Sequence, residues 1–190
     1  MKFTILMLSL VCSLVMCGQK KQTKGWQIKT AVLAAPEKFR ENAMVYGYDD
    51  YGKLTVLRPG TNQYICLADD PNQEGFQAAA YHKDLDAFME RGRELKAQGK
   101  TFEERFDIRE EEVKSGKLKM PDKTTLFVLH GTINDETSEI DDQYLRYVVY
   151  IPYATEESTG LPASALGKGH PWIMDPGTHR AHIMISPPKN

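Results

Sequence analysis

The sequence predicts a single α+β domain with a largely antiparallel β-sheet and a central helix pair, and three observations carry that expectation. Residues 43–67 alternate aromatic or β-branched side chains with turn residues, residues 84–116 show helical periodicity, and strand-like runs return after Met120-Pro121. Strands, then helices, then strands again is the order of an α+β domain, not of a sheet built from βαβ units. The 190 residues suit one folded domain. With 24 Lys plus Arg against 26 Asp plus Glu, the net charge of -2 leaves no basic footprint for a phosphate backbone, so no nucleic-acid partner is expected.

The first strands are read at AMVYGY (43–48), KLTVLR (53–58) and QYICL (63–67). Asp49-Asp50-Tyr51-Gly52 and Pro59-Gly60-Thr61-Asn62 supply the residues that tight turns need, so a three-stranded meander is expected. In the third strand, Tyr64, Cys66 and Ala68 share one face and Ile65 and Leu67 the other, and both faces are apolar.

In the helical middle, Leu85, Phe88, Met89 and Leu95 fall on one side of a 3.6-residue period, with Asp84 as the expected cap and Gly99 as terminator. Thr101-Phe102-Glu103-Glu104 has the form of a capping box, in which the Thr hydroxyl and the Glu carboxylate each satisfy an orphan backbone N–H. The second helix is expected to turn Phe102, Phe106 and Val113 inward and to stop near Gly116. The mixed charges of residues 91–114 read as a solvated face, with a partner-binding surface as the alternative. Later strands are expected at 124–130, 144–151 and 181–186, the first two joined by the acidic loop NDETSEIDD.

The N-terminus reads as a targeting segment. Lys2 precedes an uncharged run from Phe3 to Met16, and Gly18–Lys24 is the polar exit GQKKQTK. The run is shorter than the roughly 18–20 apolar residues of a stable span. Its end, Leu14-Val15-Met16-Cys17-Gly18, resembles the lipobox of bacterial lipoproteins, with Met16 where a small residue is usual. The resemblance implies a signal peptide over 1–16, lipidation of Cys17 with palmitate-type chains, and a membrane anchor in the cell envelope, at the outer membrane or cell surface. Several acyl chains on one residue hold durably, since each buried methylene adds about 0.8 kcal/mol. Residues 17–27 then read as lipidated Cys and polar tether, and 28–190 as the globular domain. Cys12 leaves with the leader and Cys17 carries lipid, so Cys66 is the single thiol remaining and no intramolecular disulfide is expected.

Chemistry is hardest to place. Leu161–Ile185 gathers His170, His179, His182, Trp172 and Asp175 with several Gly and Pro, as a structured loop feeding a strand does. His170, Asp175, His179 and His182 form an alternative metal set, for an envelope hydrolase or metal-dependent enzyme. The spacing favours it weakly: His179 and His182 face opposite ways on a strand, and Pro176-Gly177 disfavours a helix. No cofactor is expected. Cys66 with His82, His130 or His182 is a conceivable thiolate pair, but a Cys between Ile65 and Leu67 reads better as a buried hydrophobe. Ser164 lacks the glycines of a nucleophile elbow, and Gly167-Lys168-Gly169 does not complete a Walker A loop. Tyr144, Tyr147, Tyr150 and Tyr153 read as core and edge aromatics, with a carbohydrate or peptide stacking surface as the alternative. No catalytic residue is assigned.

From about Ala43 to Pro187 the chain resembles an uncharacterised family of exported bacterial proteins. The marks are Leu57-Arg58-x-Gly60-x-Asn62 leading to Cys66, and Pro171-Trp172-Ile173-Met174, Gly177-Thr178 and Ala181-His182-Ile183-Met184. A second Cys frequent in that family is replaced here by Ala78, Ala79 and Ala80. The resemblance implies export and brings no activity. The expectation is a ligand-binding or accessory envelope protein, with Trp172 as the apolar wall and Arg58, Arg180 and His182 as the polar groups of its pocket, and a small molecule or an envelope protein as partner.

Overall fold

The computed structural model describes residues 22–187, so the leader and Cys17 lie outside the described residues. The elements in order are helix α1 (Lys24–Ala31), strands β1 (Met44–Tyr48), β2 (Leu54–Arg58), β3 (Tyr64–Leu67) and β4 (Phe76–His82), helices α2 (Asp86–Ala97) and α3 (Phe102–Lys114), strands β5 (Thr124–Ile133) and β6 (Ile140–Tyr150), a single helical turn α4 (Glu156–Thr159), and strands β7 (Trp172–Met174) and β8 (His182–Ile185). The eight strands form one sheet in the order β2-β1-β3-β4-β5-β6-β8-β7. The α+β architecture is therefore as the sequence predicts. No described helix is long and apolar enough to cross a membrane.

One pairing differs from the expected meander. β1 and β2 form the antiparallel hairpin, but β3 crosses to the other side of β1 and pairs with it in parallel, Val45 opposite Cys66. The alternation in β3 is as read: Cys66 and Ala68 join one core layer with Tyr64, and Ile65 joins the other with Leu67. Both sheet faces are covered, which is why both faces of this strand are apolar.

Helix α1 covers the first face, and it begins inside the stretch read as a tether. Thr23 caps it, the indole Nε1 of Trp26 donates to the Ser138 carbonyl at 2.7 Å, and buried Gln27 pairs through its amide with both backbone groups of Tyr48. That last contact requires glycine at position 47, where a Cβ would sit 2.6 Å from the Gln27 Oε1. The folded chain thus takes in Gln22–Gln27, ahead of the expected boundary at 28. Under α1 lies β4, which the sequence reading did not contain; Ala78 and Ala80 are fully buried there and keep the layer thin.

Helices α2 and α3 cover the second face. His82, not Asp84, provides the cap: its ring accepts the Asp84 N–H in the 3-10 turn Lys83–Leu85 that leads into α2. Gly99, at φ 78, ends α2 as expected, with the Gly99 and Lys100 N–H groups donating to the carbonyls of Lys96 and Leu95. The Thr101–Glu104 capping box is present. The inward face of α3 is more polar than expected. Phe102 is 54% exposed, whereas Arg109 and Glu112 are buried, Glu112 held by both Arg91 and Lys117.

Candidate functional site

Two gatherings of polar side chains bear on function. The first is where the segment between β7 and β8 crosses onto α3. Tyr153 and Asp175 both adopt the left-handed region, at φ 64 and 52, a conformation costly for such side chains. Tyr153 N–H donates to the Thr178 carbonyl and Gly177 N–H to the Ala154 carbonyl, each at 2.7 Å, and these bonds hold the bend. The bend delivers His179 into a fully buried slot between the edges of Phe88 and Phe106. There its Nδ1 donates to the Glu110 carboxylate, which also accepts the His179 peptide N–H at 2.8 Å. Burial raises the Glu110 pKa, but the two His179 bonds and Lys114 outweigh it and hold the carboxyl below its ordinary range. Burial lowers the His179 pKa, against the pull of Glu110.

Beside it, Arg180 lies over Phe102 and Phe106 and reaches Asp175 at 3.7 Å. Arg109 is wedged over Phe88, and burial together with the nearby Arg180 lowers its pKa to about 10. His182 donates from Nδ1 to the Arg180 carbonyl at 2.6 Å and packs 5.1 Å from Tyr150. A carboxylate that orients a histidine is the arrangement of a general base. Here, however, the far nitrogen, Nε2 of His179, is buried and finds no hydrogen-bond partner among the described residues. With the ring wholly buried, no substrate proton can reach it, and the chemistry left to the cluster is fastening the C-terminal segment to α3.

The pocket expected from the sequence is not assembled. Arg58 sits on β2 and Trp172 on β7, at opposite edges of the sheet, about 34 Å apart across the strands. The Arg58 guanidinium donates to the carbonyls of Ala43 and Arg40, Asn62 donates to that of Phe39, and a Cβ on Gly60 would lie 2.1 Å from the Met44 nitrogen. That mark is a brace for the chain entering β1. Trp172 pairs with Met184 and packs in the helix-covered layer, while Arg180 points to α3. The alternative metal set does not converge either. His170 is exposed, His179 is held by Glu110 and His182 by a carbonyl, and among the described residues no group of three or more His, Cys, Asp or Glu side chains is placed to hold a metal ion. His130 and His182 are six β6 positions apart in register, roughly 20 Å. Cys66 is buried and its thiol is pushed up to about 12, so it is not a ready nucleophile.

The second place is a groove of about 630 Å³ at the other end of the sheet, where β4 begins and β5 and β6 approach their hairpin. A bulge makes it. His130 pairs with Tyr144 and Thr132 with Asp141, so Asp142 and Gln143 together oppose Gly131. Asp142 takes φ 50 to do this, and Gly131 has no room for a side chain, since a Cβ would lie 2.4 Å from Ile140 and 2.8 Å from the Asp141 carbonyl. The bulge presents Thr132, Asp142 and Gln143 outward, facing Gln73, Glu74 and Gln77. His130 and Tyr144, stacked with centroids 4.8 Å apart and planes 12° apart, lie between them. The rim is fixed from below: Asp69 is buried and accepts the Gln77 N–H and the Gln22 amide. No Lys or Arg lines the groove.

The sequence reading did not find this site. Its one signal was Tyr144 among the tyrosines weighed for stacking; the remainder are Gln, Thr, Asp and Gly of kinds found on any surface. In comparisons with models of known protein families, with curated proteins and with solved structures, the chain finds no match.

Proposed function

We propose that the chain is an exported cell-envelope lipoprotein, anchored through Cys17, whose folded domain is a binding or accessory component with the β4–β5–β6 groove as its ligand site. The groove carries the reading. It is a concave site built on a bulged, strained stretch of sheet, with a ring of exposed polar side chains around an aromatic pair. In the C-terminal cluster, by contrast, His179 and His182 are buried and bonded within the fold. The Leu14–Cys17 leader motif supports the envelope location.

Two experiments test the two halves. Cells fed an alkyne-tagged palmitate should label the protein and retain it in the membrane fraction, and Cys17→Ser should lose both; a soluble, unlabelled wild type overturns the anchor. Titrating mixed pools of sugars, amines, carboxylates and phosphates into the ¹⁵N-labelled protein should move resonances of Gln77, Thr132 and Gln143 with at least one pool. No movement at those residues with any pool overturns the groove as a binding site.

A further inference from the structure

Resting on the reading of the groove as a binding site, we infer that its ligand is a neutral polyhydroxylated molecule, a stretch of glycan chain. Charge removes the main rivals. The lining holds two carboxylates, Glu74 and Asp142, and no Lys or Arg, and the guanidinium beside it, that of Arg146, is engaged with the hydroxyl and ring of Tyr144, so the balance of charge at the lining disfavours phosphate, carboxylate and sulfate groups. The hydrogen-bonding groups fit hydroxyls. Gln73, Gln77 and Gln143 each present an amide that both donates and accepts, Thr132 does the same through one oxygen, and Glu74 and Asp142 accept pairs of bonds.

Adjacent hydroxyls on a sugar ring need such alternating donors and acceptors at close spacing. A purely cationic ligand would use the carboxylates and leave the three amides with nothing to do. The His130–Tyr144 pair stacks ring on ring, with Arg146 6.0 Å over Tyr144, so it adds apolar aromatic edge to the lining, against which sugar C–H groups can pack. Tyr144 is further ordered by Arg146, whose Nη2 donates to its hydroxyl at 3.4 Å. Gln143 is also pre-positioned, its amide donating to the Ile140 carbonyl at 2.7 Å and leaving its oxygen directed by that bond. The volume of about 630 Å³ is ample for a sugar ring.

The test uses the full-length protein in a zwitterionic detergent that carries no sugar. An array of neutral and acidic glycans is followed by titration with the best neutral oligosaccharide, with spermine and with inorganic phosphate. The inference expects neutral glycans to bind, with affinity reduced at least tenfold in Gln77→Ala and in Gln143→Ala and abolished in Thr132→Trp, which fills the groove. Cooperative melting of these variants would show that they fold. Binding of spermine or phosphate in place of sugars, lost in the same variants, would overturn the glycan inference and leave the groove as a site. Absence of binding by every probe would overturn both.

Discussion

The C-terminal cluster and the β4–β5–β6 groove are both rich in polar side chains, and they differ in what those side chains have left to offer. In the cluster, Glu110 accepts three bonds, from the His179 ring, the His179 peptide and Lys114, and His182 is closed by the Arg180 carbonyl. In the groove, Gln73, Glu74, Gln77, Thr132 and Asp142 face solvent. A buried, mutually bonded set holds structure together, because breaking it leaves charges without partners. An exposed set in a concavity can exchange water for a ligand. Distinctive residue types mark the first place, and ordinary ones the second.

The sharpest way to break this contrast is His179→Ala, which empties a buried slot and strips Glu110 of its bond from the ring, leaving it the residue 179 peptide N–H and Lys114. A loss of about 3–5 kcal/mol is expected, by denaturant titration, with ligand affinity of any surviving folded protein unchanged. Arg58→Ala removes donors from the carbonyls of Ala43 and Arg40 at the far edge and should cost about 2 kcal/mol, again with no effect on binding.

Acid should loosen the cluster. Burial holds the pKa values of His179 and His182 below their ordinary 6.5. The unfolded chain therefore takes up protons that the folded chain refuses, so this stability is full above about pH 6.5 and falls as the pH drops through the lowered values. Glu110, held below its ordinary 4.5, adds a second loss at lower pH. Denaturation at pH 8 and pH 5 should show the first step, and His182→Gln should shrink it. A flat profile would contradict the buried neutral histidines.

The smallest effect has the most informative sign. Asp142→Gly relieves a left-handed side chain and should stabilise the protein by about 1 kcal/mol while weakening ligand binding, the trade expected of strain kept for function. Stabilisation with undiminished binding would make the bend a matter of chain turning alone.

Much of the fold was legible because it rests on local chemistry. The Thr101–Glu104 box, the Gly99 terminator and the two-faced alternation of β3 each follow from a few adjacent residues. What escaped depends on distant partners. β4 reads poorly as a strand because alanines have little β preference; Ala78 and Ala80 lie in the layer under α1, and Ala79 faces the opposite layer. α1 itself is a short Lys- and Gln-containing segment whose docking depends on Gly47 and on the Tyr48 backbone. The parallel turn of β3 onto β1 is a long-range choice that turn residues do not encode.

The candidate site divides the same way. Arg180, His182 and Trp172 were conspicuous and lie together at the β7–β8 edge, with Arg180 and His182 in contacts to the fold, while Arg58 was grouped with them from the opposite sheet edge. The groove arises from one extra residue in β6, and a bulge has no sequence signature beyond a glycine opposite it.

The central claim is that binding belongs to the groove and fastening to the cluster. Parallel calorimetric titrations of two double variants, Trp172→Ala/His182→Ala and Gln77→Ala/Gln143→Ala, test it most directly, using the ligand found with the wild type. The account predicts a lowered melting temperature with unchanged affinity for the first, and for the second a cooperative melt lowered by no more than the Gln143–Ile140 bond accounts for, with binding lost. Loss of binding in the first pair with retention in the second would contradict it.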